Sequence, residues 1–148
     1  MSNDTALMFS NERIRKVINI VGRWNEPTSD EWSIINKTVT ECSDGMIKRV
    51  REYVFYGCTA LTTVDLPAAT SIGDGAFNGC TALTTVILRS STVCVIFENT
   101  FLWSTIESGT GYIYVPRALV DSYKVDTTWS TYAAQIRAIE DYPDICGG

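Results

Sequence analysis

Apolar residues in this chain follow two rhythms. Between residues 55 and 88 they come in short alternating bursts, Leu61-Thr-Thr-Val-Asp-Leu66 and Leu83-Thr-Thr-Val-Ile-Leu88. Side chains alternate along a strand, so the first burst predicts a short strand with Val64, Leu66 and, one step earlier, Leu61 turned inward, and with Thr63 and Asp65 facing the other way. Pro67 has no N–H and ends the ladder locally. The loop Ala68–Ser71 leads to Ile72, an inward anchor, and Gly73-Asp-Gly75 turns the chain. Ala76-Phe77-Asn-Gly-Cys80 is then a return arm with Phe77 in the core.

Outside this stretch the rhythm is helical. Ile14, Val17, Ile18 and Val21 recur at i, i+3, i+4 and i+7, which predicts a helix over 11–21, capped by Ser10 and stopped by Gly22. Arg13, Arg15 and Lys16 lie largely off that stripe, as a solvated face would. Thr28-Ser-Asp-Glu31 fits a capping box and opens a second short helix burying Trp32, Ile34 or Ile35. Towards the other end, Pro116 suits a first helical position. Leu119, Val120 and Tyr123 then fall on one helical face, and Trp129, Tyr132 and Ile136 on the next.

The alternating bursts are copies of one unit. Phe55-Tyr-Gly-Cys-Thr-Ala-Leu-Thr-Thr-Val-Asp-Leu66 and Phe77-Asn-Gly-Cys-Thr-Ala-Leu-Thr-Thr-Val-Ile-Leu88 agree at ten of twelve positions, at an offset of 22. A fixed period in the low twenties marks units that stack and share one core. Walking back by the same offset sets Val50 and Phe55 over Ile72 and Phe77. It also sets Val39, Cys42 and Asp44 over Leu61, Val64 and Leu66, which predicts a degenerate strand at Val39–Asp44. Forwards, Ile96-Phe-Glu-Asn-Thr-Phe101 repeats the pattern at an offset of 24, implying two inserted residues near Ser90–Val93. A last strand, Tyr112-Ile-Tyr-Val115, follows Glu107-Ser-Gly-Thr-Gly111. Gly57 and Gly79 share a phase, as expected where each coil needs a positive φ or a close backbone approach. Cys58 and Cys80 share one too, stacked about 5 Å apart, where a buried thiol ladder is expected and a bridge is geometrically allowed.

The repeated string, with Ser71-Ile-Gly-Asp-Gly-Ala-Phe77 before it, resembles the BspA-like, or Treponema-type, leucine-rich repeat. The tail Tyr112-Ile-Tyr-Val-Pro-Arg-Ala-Leu-Val-Asp-Ser-Tyr-Lys124, with Trp129-Ser-Thr-Tyr-Ala133 and Gln135-Ile136, is similar to the end unit that commonly closes such arrays. The resemblance runs from about Val50 to Glu140. It implies an α/β leucine-rich-repeat solenoid of about three to four coils with short strands, a helical N-terminal segment and a helical C-terminal cap. It also implies partner binding without catalysis, as in adhesins, bacterial surface proteins and phage-encoded structural or host-recognition proteins. The organisation expected is residues 1–38 as an N-terminal cap or attachment segment, 39–115 as the repeats, and 116–148 as the C-terminal cap and tail.

Composition narrows the chemistry. The chain has 148 residues, 45% apolar and 20% charged, ordinary for one folded domain. It has no histidine, which removes Ser-His-Asp and Cys-His catalysis and the commonest zinc ligand. A net charge of −5 argues against nucleic acid as partner. Five cysteines, without Cys-x-x-Cys spacing, read as small buried apolar residues. Glu140-Asp141 and Asp30-Glu31 read as solvated or helix-dipole acids. Gly73-Asp-Gly75 is a turn, with no Lys-Ser/Thr after it to make a phosphate loop. No cofactor or metal is expected. No basic leader and no run of about 18–20 apolar residues is present, so no membrane association is expected, and together with what the resemblance implies the expected location is a virion or the host cytoplasm.

The face expected to meet a partner follows from the register. Thr63 and Asp65 align with Glu41 and Ser43 one coil back, with Thr85 and Ile87 one coil on, and with Tyr112 and Tyr114 in the last strand. This predicts an acidic-polar end grading into an aromatic end, with exposed Ile87, Tyr112 and Tyr114 as its energetic centre. Trp24 and Trp32 are the expected contacts if the N-terminal segment docks elsewhere. The expected function is a non-enzymatic interaction module, a phage or prophage virion component or host-interaction protein. The alternatives are an intracellular inhibitor of a host defence protein and a fragment of a surface adhesin. Self-association is left open.

Overall fold

Strands of three residues cannot hold a sheet by themselves, and the chain makes them cooperative by laying copies side by side in register. A computed structural model describes residues 41–43, through their backbone, and 48–50, 52–53 and 55–147. Among these residues seven strands run in chain order: β1 Glu41–Ser43, β2 Arg49–Val50, β3 Thr63–Asp65, β4 Ser71–Ile72, β5 Thr85–Ile87, β6 Tyr112–Val115 and β7 Ile136–Ala138. Three short α-helices accompany them among the described residues: α1 Thr105–Ser108, α2 Val120–Val125 and α3 Pro143–Cys146.

Five strands form one parallel sheet in the order β1-β3-β5-β6-β7. Glu41, Thr63, Thr85 and Tyr112 make one row across it, and Ser43, Asp65, Ile87, Tyr114 and Arg137 another. Between those rows run Cys42, Val64, Val86, Ile113 and Ile136. A second parallel ladder pairs β2 with β4, Val50 beside Ile72, and a bridge from Ser71 to Val95 extends it to the third repeat. The turns join in the same way: Phe55 N–H donates to the Ala76 carbonyl and Phe77 N–H to the Thr100 carbonyl, both at 2.9 Å. Turn N–H groups of one repeat are thus met by carbonyls at the equivalent place in the next.

The core lies between the two ladders. Phe55 and Phe77 stack with ring centroids 5.3 Å apart, and Phe101 follows at 5.7 Å. Trp129 and Tyr132 close the column against Phe101 at tilted and edge-on angles. Leu61, Val64, Leu66, Leu83, Val86 and Leu88 are fully buried around it. The phase of Gly57 and Gly79 does demand a left-handed backbone, at φ 71° and 80°. The third repeat places Trp103 there, at φ 63°, a conformation that costs a non-glycine residue about 1–2 kcal/mol.

The closing segment departs from the expected helical lid in three ways. Pro116 precedes a 3-10 turn, Arg117–Leu119, as its cap and is not its first residue. Trp129–Gln135 is also 3-10, and Ile136 lies in β7, a fifth strand of the sheet, and not on a helical face. The reason is packing: Ile113 of β6 offers Ile136 an in-register buried neighbour that a helix would not reach. The buried aromatics still act as a lid. The Trp129 indole N–H donates to the Cys94 carbonyl at 2.7 Å, and the Cys94 N–H donates to the Tyr123 hydroxyl at 2.8 Å. The two rings thereby satisfy the buried backbone of the inserted loop.

Cys80 keeps its thiol, which donates to the Phe55 carbonyl at 3.1 Å, so no bridge closes the cysteine column. Burial pushes the Cys80 and Cys94 thiols up to about 12. The expected strand at Val39–Asp44 is observed as Glu41–Ser43. Val39, Asp44, the predicted N-terminal helices, Trp24 and Trp32 lie outside the described residues.

Candidate functional site

The sheet has one face on the phenylalanine column, and the other carries the residues expected to meet a partner. The sequence places Thr63, Asp65, Thr85, Ile87, Tyr112 and Tyr114 correctly on this second face, because each strand alternates about a buried central valine or isoleucine. Their accessibility is another matter. Thr63, Thr85 and Tyr112 are partly exposed, but Ile87 and Tyr114 are each only 2% exposed. The expected exposed centre at Ile87 and Tyr114 is therefore corrected: it is a second small core.

The chain's own tail covers it. After β7 a 3-10 turn, Ile139–Asp141, and α3 fold back across the sheet. Ile139 and Cys146 join Ile87 and Tyr114 in one buried cluster, with Tyr112 and Tyr142 packed on its border. The Tyr142 ring meets Tyr114 edge-on at 5.3 Å. The Arg137 guanidinium lies 3.4 Å over the Tyr112 ring and 4.7 Å from that of Tyr142. It also donates to the Tyr114 hydroxyl at 3.3 Å. An arginine between two aromatic faces combines stacking with charge, a contact that lysine would not reproduce.

Two further arginines pin the tail. Arg89 holds Asp65 through Nε and a terminal nitrogen, both at 3.0 Å, and donates to the Cys146 carbonyl. The Asp65 hydrogen bond raises the Arg89 pKa against the opposing effect of partial burial. Because both partners are largely sheltered, this two-point pair fixes geometry better than a surface ion pair does. At the other end Arg117 pairs with Asp141 and its N–H donates to Glu140 Oε1 at 2.9 Å. That pair is well exposed and adds little stability. Burial also raises the Cys146 thiol pKa.

What stays partly open is a strip, Thr63, Thr85 and Tyr112 in register, and Glu41 and Ser43 of β1 pair with Thr63 and Asp65. The strip's hydroxyls suit hydrogen bonding to another protein surface, while one face of the Tyr112 ring is already taken by Arg137. Among the described residues no group of three or more His, Cys, Asp or Glu side chains converges as a metal site would. Sequence reasoning missed Arg89, Arg137 and Tyr142, which decide how much of the face is open. It also missed the exposed aromatics Tyr53, Tyr56, Phe97 and Trp103, which lie away from the sheet on the turns and loops.

With this arrangement in view, the comparisons with known proteins are informative. A family model described as a BspA type leucine rich repeat region (6 copies) matches residues 35–111, just over half of the chain. A search of curated proteins found no match.

Proposed function

The chain belongs to the BspA-type leucine-rich-repeat family, and we propose from that premise that it is a protein-interaction module without catalytic activity. Repeats of this family are generally non-enzymatic and bind proteins. The observation that carries the reading is the in-register strip of Thr63, Thr85 and Tyr112, repeated strand by strand on the side of the sheet turned away from the core. In this reading the molecule is a short solenoid, closed at its C-terminal end by the Trp129 and Tyr132 lid. Its partner contacts Thr63, Thr85 and Tyr112, with Glu41 and Ser43 at the edge. Asp65, Ile87 and Tyr114 hold the tail beneath that contact, and Trp24 and Trp32 belong to a separate attachment. The narrower assignment, a phage virion component or host-interaction protein in the virion or host cytoplasm, rests on the sequence resemblance.

The test is affinity purification with the full chain beside two variants, Thr85→Arg and Tyr112→Ala. A partner recovered at constant stoichiometry by the parent and lost by both folded variants is the expected result. A partner retained by both would move the contact elsewhere. Peptides of this chain in purified phage particles decide the narrower assignment.

A further inference from the structure

A cleft of about 530 Å³ opens between the third repeat and the closing segment. Glu98 and Glu107 stand on its repeat side, Thr127, Thr128 and Thr131 on the other, and Tyr132 forms part of its wall. Neither carboxylate pairs with a cation among the described residues. Among the described residues the cations held in ion pairs, Arg89 and Arg117, are committed to Asp65 and Asp141. Tyr132 is only 6% exposed, its ring is fixed edge-on against Phe101, and among the described residues its hydroxyl has no hydrogen-bond partner. The Tyr132 hydroxyl is thus open to a hydrogen bond from water or from a group of another molecule in the cleft.

An exposed aromatic stands on the far side of Glu107. Trp103 is 68% exposed, the highest value among the exposed aromatic rings, and is held in the left-handed backbone region where the preceding repeats carry glycine. Its N–H donates to Glu107 Oε1 at 2.9 Å, and it borders a smaller hollow of about 300 Å³ that shares Glu107 as a wall. The second oxygen of Glu107 is left for the cleft. A costly backbone conformation thus presents a large exposed ring beside a carboxylate that pairs with no cation among the described residues.

We propose that this cleft is a socket for a basic side chain, a lysine ammonium or an arginine guanidinium, presented by the protein partner, with Trp103 in the adjoining hollow across Glu107. The proposal rests on the protein-binding reading above and adds a second contact with stated chemistry. Glu98 and Glu107 supply the charge, the threonine and Tyr132 hydroxyls supply oxygen acceptors, and the volume suits one long side chain with its backbone. A neutral occupant would leave two carboxylates on one cleft uncompensated.

The experiment is an NMR titration of the full isotope-labelled chain with blocked pentapeptides, Gly-Gly-Lys-Gly-Gly, its arginine analogue and its glutamine analogue. Saturable shifts at the amides of Glu98, Glu107 and Thr131 and at the Trp103 indole are expected with lysine or arginine, and none with glutamine. The better of the two cations identifies the side chain. Glu98→Gln with Glu107→Gln, which preserves an acceptor for the Trp103 N–H, should weaken binding at least tenfold, and Trp103→Gly should weaken it severalfold. Equal response to glutamine, shifts spread over all exposed acids, or full binding by the double variant would overturn the proposal. Thr85→Arg and Tyr112→Ala leave the peptide response unchanged, which separates the two readings. A partner that needs Thr85 and Tyr112, with no peptide response, removes the socket alone; a saturable peptide response without that partner removes the sheet strip alone.

Discussion

The rings of Phe55 and Phe77 lie 5.3 Å apart with their planes 3° from parallel. Two side chains 22 residues apart in sequence thus occupy equivalent positions in successive repeats, and the same relation carries on to Phe101 across an offset of 24. A repeated residue becomes a continuous apolar column, which no single repeat could bury by itself.

Phe77 is the middle ring, so Phe77→Ala removes contacts on both sides. A fully buried phenylalanine truncated to alanine costs about 3–5 kcal/mol. The urea midpoint should fall accordingly, with the slope of the transition unchanged. A loss near zero would mean that the column is not continuous.

The tail makes Tyr114 a core residue. Tyr114→Ala should therefore destabilise the fold by about 2–4 kcal/mol, and it should accelerate amide hydrogen exchange in Ile139–Cys146. Unchanged stability in that variant would return Tyr114 to the open face. Arg89→Met is the companion: it keeps the apolar stem, removes the clip on Asp65 and the Cys146 carbonyl, and should loosen α3 while sparing the phenylalanine column.

How much of this was legible in the sequence depends on the kind of information. The repeat offset fixed which residues face each other, down to Val50 beside Ile72 and Cys42 beside Val64, because register in a stacked array is a property of the period alone. What covers a face is a long-range fact. Alternation put Ile87 on the outer side and said nothing of the tail that lies on it. One signal was present: Val86-Ile87-Leu88 and Ile113-Tyr-Val115 break alternation with continuous apolar runs, the mark of a strand buried on both faces. β7 was hidden for another reason. A three-residue strand has no measurable period, and Ile136 happens to fall at helical spacing from Trp129 and Tyr132.

Tyr123 links the lid to the inserted loop by accepting the Cys94 N–H. Tyr123→Phe keeps the ring and orphans a buried donor, which should cost about 1–3 kcal/mol. Cys94 amide exchange should rise with it. A neutral substitution would show that water replaces the hydroxyl.

Alkaline pH should weaken the fold. Cys80 and Cys94 are raised from 9.0 to about 12 and Tyr123 from 10.0 to about 12, chiefly by burial. A raised folded value means that the unfolded chain gives up its proton first. The stabilisation is complete below the unfolded value and is lost as pH rises towards the folded one. Stability should decline by about 1.4 kcal/mol per pH unit for each such group across that window. Urea midpoints at several pH values test this, and Cys80→Ala with Cys94→Ala should flatten the decline. Both thiols should also resist alkylation until the protein unfolds.

The most direct test of the account is a set of nuclear Overhauser contacts from the Phe77 ring and the Ile87 methyls in the full chain. The account predicts that Phe77 contacts both Phe55 and Phe101, and that Ile87 contacts Ile139 and Cys146. Contacts from Phe77 to neither ring would contradict the stacked repeats, and an Ile87 free of the tail would contradict the covered face.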